Sequence, residues 1–147
     1  MTTTATVNVN KDIAQRICAE INQKNVDALD SLIATDIVTH GDALIPTVTG
    51  REAVKNGIKA LLAAFPNVQF TVERMFAEAD KVVIHLRANG THTGAWLGAA
   101  PTNRDMVWTA SAIARFADGK LVETWIIQDE LGMMQQLGLV PTPAQQQ

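Results

Sequence analysis

Apolar residues in the first third of the chain recur at helical intervals. Ile13, Ile17 and Ile21 fall four apart, giving one face of an amphipathic helix with Asn10 as its N-cap candidate, and the pattern fades over residues 22–25. Val26, Leu29, Leu32 and Ile33 predict a shorter second helix. The third is the clearest: Thr49-Gly50-Arg51-Glu52 fits a capping box, Val54, Ile58, Leu61, Leu62 and Phe65 form an apolar stripe, and Pro66 opposes continuation. Between the second and third helices, residues 37–42 read as a short extended piece entering a loop.

Beyond Pro66 the period shortens to two. Residues 68–77 and 81–89 read as strands joined at Glu78-Ala79-Asp80, and residues 107–117 and 120–129 as a hairpin across Asp118-Gly119, the strongest turn signal in the chain. A long loop rich in Gly, Thr and Pro spans residues 90–104, and long loops inside compact domains are often functional. A short helix over residues 130–137 follows. Helices, then mostly antiparallel strands, then a helix predict an α+β fold with the helices on one face of the sheet. With no repeat and no linker, residues 1–147 are expected to form one domain, poorly ordered only at about 1–9 and 140–147.

Composition narrows the partners. The chain is 47% hydrophobic and 18% charged, as expected of a folded domain of 147 residues. A formal charge of −3 and no run of basic residues give no footprint for nucleic acid or an anionic membrane surface. No apolar stretch approaches a bilayer-spanning length. Cys18 alone cannot form an internal disulfide, and the Met-Thr-Thr-Thr-Ala start lacks a basic segment followed by an apolar run, so a cytoplasmic location is expected. A small-molecule ligand or a protein partner remains.

The last predicted strand carries the candidate chemistry. Strict alternation puts Leu121, Glu123, Trp125, Ile127 and Asp129 on one face, leaving a carboxyl group at the end of an apolar row. An acid among such neighbours suits proton transfer, but Asp is also a favoured N-cap for the helix that follows, and both roles stay open.

Several motifs occur together: the helix end at Leu62 to Pro66, Gly90-Thr91-His92-Thr93-Gly94, Pro101-Thr102 with Arg104, Arg115-Phe116 before Asp118-Gly119-Lys120, and Glu123, Trp125 and Asp129. In this combination, from Ile13 to Leu139, the chain resembles the SnoaL-like polyketide cyclase family typified by nogalonic acid methyl ester cyclase. The resemblance implies the nuclear-transport-factor-2-like cone, a curved, mostly antiparallel sheet wrapped around helices with a pocket between them, and a homodimer formed through the sheets. It also implies ring closure by intramolecular aldol condensation on a polyketide-like or ester substrate, with no metal or organic cofactor. By the same resemblance, the acid at the position of Asp129 is expected to act as the general acid and base.

Aldol closure needs a base for an activated methylene and hydrogen bonds for the oxyanion of the accepting carbonyl. His85 shares strand parity with Val83, Arg87 and Asn89; inward it is the leading electrophilic partner, outward it faces solvent, and alternation does not choose. His40, in the loop after the second helix, ranks beside it, and His92 ranks last because its motif also serves loop architecture. Trp125 is the first choice for a wall that contacts ligand, with Trp96 closing the pocket from the long loop and Phe65 as a further lining candidate. A two-residue turn at Asp118-Gly119 sets Trp108 opposite Asp129, whereas a three-residue turn sets Val107 there.

Other readings compete less well. The chain has no Tyr for a phenolic oxyanion hole of the isomerase type, no second strand-borne Asp near Arg87 for an epoxide hydrolase, and no His spacing typical of zinc. A related hydroxylating enzyme and a noncatalytic small-molecule binding protein of the same fold remain as alternatives.

Overall fold

Because the Thr3 hydroxyl accepts the Thr6 amide N–H at 3.2 Å, helix α1 (Thr4–Asn22) begins well before Asn10, which is buried inside it. The computed structural model describes residues 3–143. Residues 4–9, in the N-terminal stretch expected to be poorly ordered, are part of α1; residues 1, 2 and 144–147 lie outside the described part. The second helix is a single 3-10 segment, Val26–Ser31, consistent with its apolar spacing of three. Ile33 belongs instead to strand β1 (Ile33–His40).

A two-residue strand β2 (Val48–Thr49) precedes α2 (Arg51–Ala64). The capping box does not form there. Gly50 is the N-cap at φ 98°, a left-handed value that favours glycine, and its N–H donates to the Ile37 carbonyl at 2.7 Å. Lys55, buried on α2, bridges Asp27 and Asp30 at 3.3 and 2.9 Å and ties α2 to the 3-10 segment.

The remaining strands are β3 (Gln69–Glu78), β4 (Lys81–Thr91), β5 (Asp105–Ala117) and β6 (Lys120–Gln128), followed by α3 (Glu130–Leu137). They form a six-stranded, unclosed curved sheet in the order β2-β1-β6-β5-β4-β3, antiparallel except where β1 runs parallel to β6. β1, β4 and β6 therefore end, and β5 begins, at the same end of the sheet.

The β5–β6 hairpin turns through Asp118 and Gly119, both at positive φ, with Ala117 paired to Lys120. One residue further on the register slips. Phe116 pairs with Leu121 but Arg115 pairs with Glu123, so Val122 is the extra residue of a β-bulge. From there Thr124, Ile126 and Gln128 line the interior, while Glu123, Trp125 and Ile127 stand on the outer face. The expected single face from Leu121 to Asp129 is thus broken, because one inserted residue exchanges the two faces of a strand. The slip also brings Thr109, rather than Trp108 or Val107, opposite Asp129, whose N–H donates to the Thr109 carbonyl at 3.0 Å.

The core has two parts. Leu29, Ile33, Ile37, Val82, Ile84 and Phe116 pack beneath α1. Phe65, Trp108, Met106, Met133 and Leu137 pack where α2 and α3 meet the sheet. Among the described residues no helix is long and apolar enough to cross a membrane.

Candidate active-site cavity

Between the helices and the concave face of the sheet lies a cavity of about 410 Å³. The side chains of β5 explain why it is open. Its inward positions read Trp108, Ala110, Ala112, Ala114, Phe116, so bulky rings stand at both ends and methyl groups between them. Ile17 and Ile21 from α1, and Val54, Ile58 and Leu61 from α2, form the opposite wall. Among the described residues no Asp, Glu, Lys, Arg or His lines the cavity. Its hydrogen-bonding side chains include Thr39, Thr124, Gln128 and Trp96.

Two loops border this space. The Gly-Thr-His-Thr-Gly motif spans the end of β4 and the start of the loop after it, and its backbone seals the end of α2: the N–H groups of Thr93 and Gly94 both donate to the Ala64 carbonyl at 3.0 Å. A Cβ on Gly94 would collide with the Ala63 carbonyl. The motif is therefore a docking device that holds Trp96 and Leu97 against the cavity. The second loop, residues 41–47, contributes Leu44, Ile45 and Pro46. Glu130 accepts the Leu44 N–H at 2.6 Å, and Asp42 accepts the N–H groups of Ile45 and Gln128 at 3.3 and 3.4 Å.

Asp42 and Glu130 share a hydrogen bond between their carboxyl groups. The contact to Asp42, with burial, raises the pKa of Glu130. Burial opposes ionisation of Asp42, but hydrogen bonds from Glu130 and the loop backbone outweigh it and lower its pKa. The Glu130 contribution is complete below the ordinary carboxyl range and lost as pH rises through the raised value. That of Asp42 is present above the ordinary range and lost as pH falls through the lowered value. The loop is thus held best in the window between them. Glu130→Gln keeps both a donor for Asp42 and an acceptor for Leu44, so protection of the Leu44 amide from hydrogen exchange is expected to fall with rising pH in the parent chain and stay level in the variant.

The residues expected to form the site divide between the two faces of the sheet. Trp96 and Trp108 line the cavity. Phe65 is fully buried behind it, with its ring centroid 5.2 Å from that of Trp108 and 6.1 Å from that of Trp96. His92 is also fully buried, 5.3 Å from the Phe65 ring; its Nδ1 accepts the Thr102 N–H at 3.2 Å, and it is not among the lining residues.

Trp125, the first choice for a pocket wall, lies instead on the outer face together with His40, and His85 takes the outward of the two parities that alternation leaves open. His40 stacks on Trp125 at 5.2 Å, and its Nε2 lies 2.8 Å from Glu123, which also accepts from Arg115 at 3.0 Å. The bonds to His40 and then Arg115 hold the Glu123 carboxyl below its usual range. His85 meets Ser111 at 3.0 Å and Glu73 at 3.6 Å. Asp129 is exposed at the end of β6, the N-cap of α3, accepting the Gly132 N–H at 2.9 Å. It follows Gln128, which lines the cavity, but is not itself among the lining residues.

Periodicity did not single out the alanines of β5, Thr39, Gln128 or the apolar loop 44–46. The alternation of alanines between Trp108 and Phe116 was the available signal. Among the described residues no group of three or more His, Cys, Asp or Glu is placed to hold a metal ion.

The sequence profile of SnoaL-like polyketide cyclases matches residues 11–137. No curated protein matches the chain. Among solved structures, AclR, a candidate hydroxylase from Streptomyces galilaeus, is 27% identical, with a TM-score of 0.84 over 95% of this chain and 87% of its own. IdmH, a candidate polyketide cyclase from Streptomyces antibioticus, is 31% identical, with a TM-score of 0.76 over 88% of this chain and 98% of its own. A SnoaL-like protein from Jannaschia sp. CCS1 shares the fold at a TM-score of 0.86 and 21% identity, over 96% of this chain and 99% of its own. With this match across most of its length, the chain belongs to the SnoaL-like polyketide cyclase family.

Proposed function

We propose that the chain binds a hydrophobic, polyketide-like small molecule in its cavity and closes a ring on it by intramolecular aldol condensation, without a cofactor. What supports the reading is the apolar cavity, with no charged side chain in its described lining, and the exposed carboxylate of Asp129 directly after the lining residue Gln128. The substrate body fills the space beside Ala110, Ala112 and Ala114, and its reacting methylene lies at the open end. Asp129 takes that proton and returns it to the oxygen formed on the accepting carbonyl. One Asp129 oxygen accepts the Gly132 N–H, and among the described residues the carboxylate accepts no other hydrogen bond, leaving lone pairs for this transfer. Gln128, beside it, supplies an amide toward the developing oxyanion. His40 and His85 take no part from the outer face. The test is ring closure of a linear polyketone ester followed by mass spectrometry and absorbance, in the parent chain and in Asp129→Asn, which should bind but not turn over.

A second reading, a noncatalytic binding protein, is favoured by the exposure of Asp129 and its role as a cap. Full turnover in the Asn variant supports a mechanism without Asp129, and absence of turnover in both chains supports binding alone.

The outer face of the sheet supports assembly with a second copy. Phe76, Val83, Ile113 and Trp125 pair in register across β3, β4, β5 and β6, and Phe76 is 65% exposed. Such a row suits a two-fold, self-complementary contact. Ile113→Asp is expected to convert a dimer to a monomer in light scattering, with the circular dichroism spectrum unchanged. A parent chain that is monomeric at micromolar concentration overturns this assembly.

A further inference from the structure

Residues 41–47 border the cavity with three consecutive apolar side chains, Leu44, Ile45 and Pro46. The segment leaves β1 and returns through β2, and the pairing of Thr39 with Val48 closes its stem at the edge of the sheet. Beyond that stem, and among the described residues, no backbone–backbone hydrogen bond joins the segment to the rest of the molecule. The hydrogen bonds it does make end on carboxyl groups: Glu130 accepts the Leu44 N–H, and Asp42 accepts the N–H groups of Ile45 and Gln128. A Cβ on Gly41 would collide with the Ile45 carbonyl, so the segment folds tightly back on itself.

The two carboxyl groups also bond to each other. Carboxylates only accept, so that bond exists only while one of the two carries a proton. Glu130 is the holder: contact with Asp42, and then burial, raises its pKa, whereas that of Asp42 is lowered. Asp42 is the one ionisable side chain acting on Glu130 among the described residues, and no Lys, Arg or His of those residues pairs with either acid. The neighbouring ionisable groups turn elsewhere. His40 bonds Glu123 on the outer face, and Asp129 accepts the Gly132 N–H. From α1 and α2, the one ionisable side chain presented to the cavity among the described residues is Cys18, a thiol whose pKa burial raises.

We propose that residues 41–47 are a lid over the cavity and that the carboxyl pair Asp42–Glu130 is its latch. The lid regulates the cavity of the proposed function, and so rests on ligand binding there but not on ring closure or on Asp129. While the proton is shared, the segment is tied to α3 and to the end of β6, and its apolar side chains complete the wall. As pH rises through the raised Glu130 value the proton leaves, two like charges face each other without a counter-ion, and the segment swings about its stem. Ligand then enters and leaves faster.

The probe is N-phenyl-1-naphthylamine, an uncharged molecule whose fluorescence rises in apolar surroundings. Its association and dissociation rates are measured by stopped flow, from mildly acid to mildly alkaline buffer, on the full chain, Glu130→Gln and Glu130→Ala. In the parent chain both rates should rise by about 10- to 100-fold as the latch is lost, the range for a hydrogen bond to a charged group. Glu130→Gln keeps a donor for Asp42 and an acceptor for Leu44 without a titrating proton, so its rates should stay slow and level. Glu130→Ala has no latch and should be fast throughout; the parent and Glu130→Gln decide the matter even where the alanine variant folds poorly. Rates that ignore pH in the parent and match those of Glu130→Gln overturn the inference while leaving a cavity that binds the probe. A pH dependence that persists in Glu130→Gln assigns the switch to another group and overturns it as well. Absence of probe binding in the parent overturns both the inference and the cavity reading.

Discussion

Asp129→Asn is expected to lower turnover of a cyclisable substrate by about 10²- to 10⁴-fold, the usual range for a general acid–base group, with dissociation constant and melting temperature nearly unchanged. The geometry makes this a clean exchange. Asp129 caps α3 by accepting the Gly132 N–H, and asparagine performs that task about as well. The charge lost from the helix N-terminus costs about 0.3–1 kcal/mol at most for an exposed group. The side chain is not embedded in the cavity wall, so its removal opens no void there. Aspartate and asparagine then differ chiefly in proton transfer. Melting temperature, ligand affinity and turnover, measured on the same preparation, assign the role: retained turnover removes Asp129 from the chemistry, and a large loss of stability shows that the carboxylate holds the fold.

The second large effect is expected from Ala112→Phe. The Ala112 methyl group faces the cavity between Ala110 and Ala114, and a benzyl group there would occupy the volume proposed for substrate. Ligand affinity should fall by about 100-fold or more, equivalent to about 2.7 kcal/mol. Stability should move the other way. Burying a phenyl ring in an apolar void contributes about 1.5–3 kcal/mol, reduced by whatever strain the new rotamer imposes. Opposite signs in calorimetry and thermal melting distinguish a blocked cavity from a damaged fold. If affinity is unchanged, the ligand binds elsewhere and the cavity assignment fails.

How far the chain could be read in advance depended on whether its signals were local. The stripe from Val54 to Leu62 specified α2 because a helix repeats its own pattern every turn, and Asp118-Gly119 specified its turn because both residues adopt positive φ there. The bulge at Val122 left no comparable mark, since it depends on how β6 fits β5 and β1 together. That one residue moved Trp125 out of the interior and brought Thr124, Ile126 and Gln128 in. His85 illustrates the same difficulty: alternation gave its parity correctly but could not say which side of a curved sheet holds the ligand. The motif containing His92 was legible as a unit, and its reason is mechanical, because its glycines let backbone approach Phe65, Val68 and the end of α2.

The parallel pairing of β1 with β6 has a consequence for how the molecule is made. Ile33 meets Leu121 and His40 meets Trp125, so strands from opposite ends of the sequence must find each other. The local hairpins β3–β4 and β5–β6 close short loops, whereas this pairing incurs the entropy of a long one and sets a slow step in folding. On the ribosome, β1 and its short neighbour β2 have no sheet to join until β6 has been synthesised. A nascent chain paused before Lys120 therefore carries the cavity wall of β5 as an open edge strand, exposed to self-association until its final partner arrives.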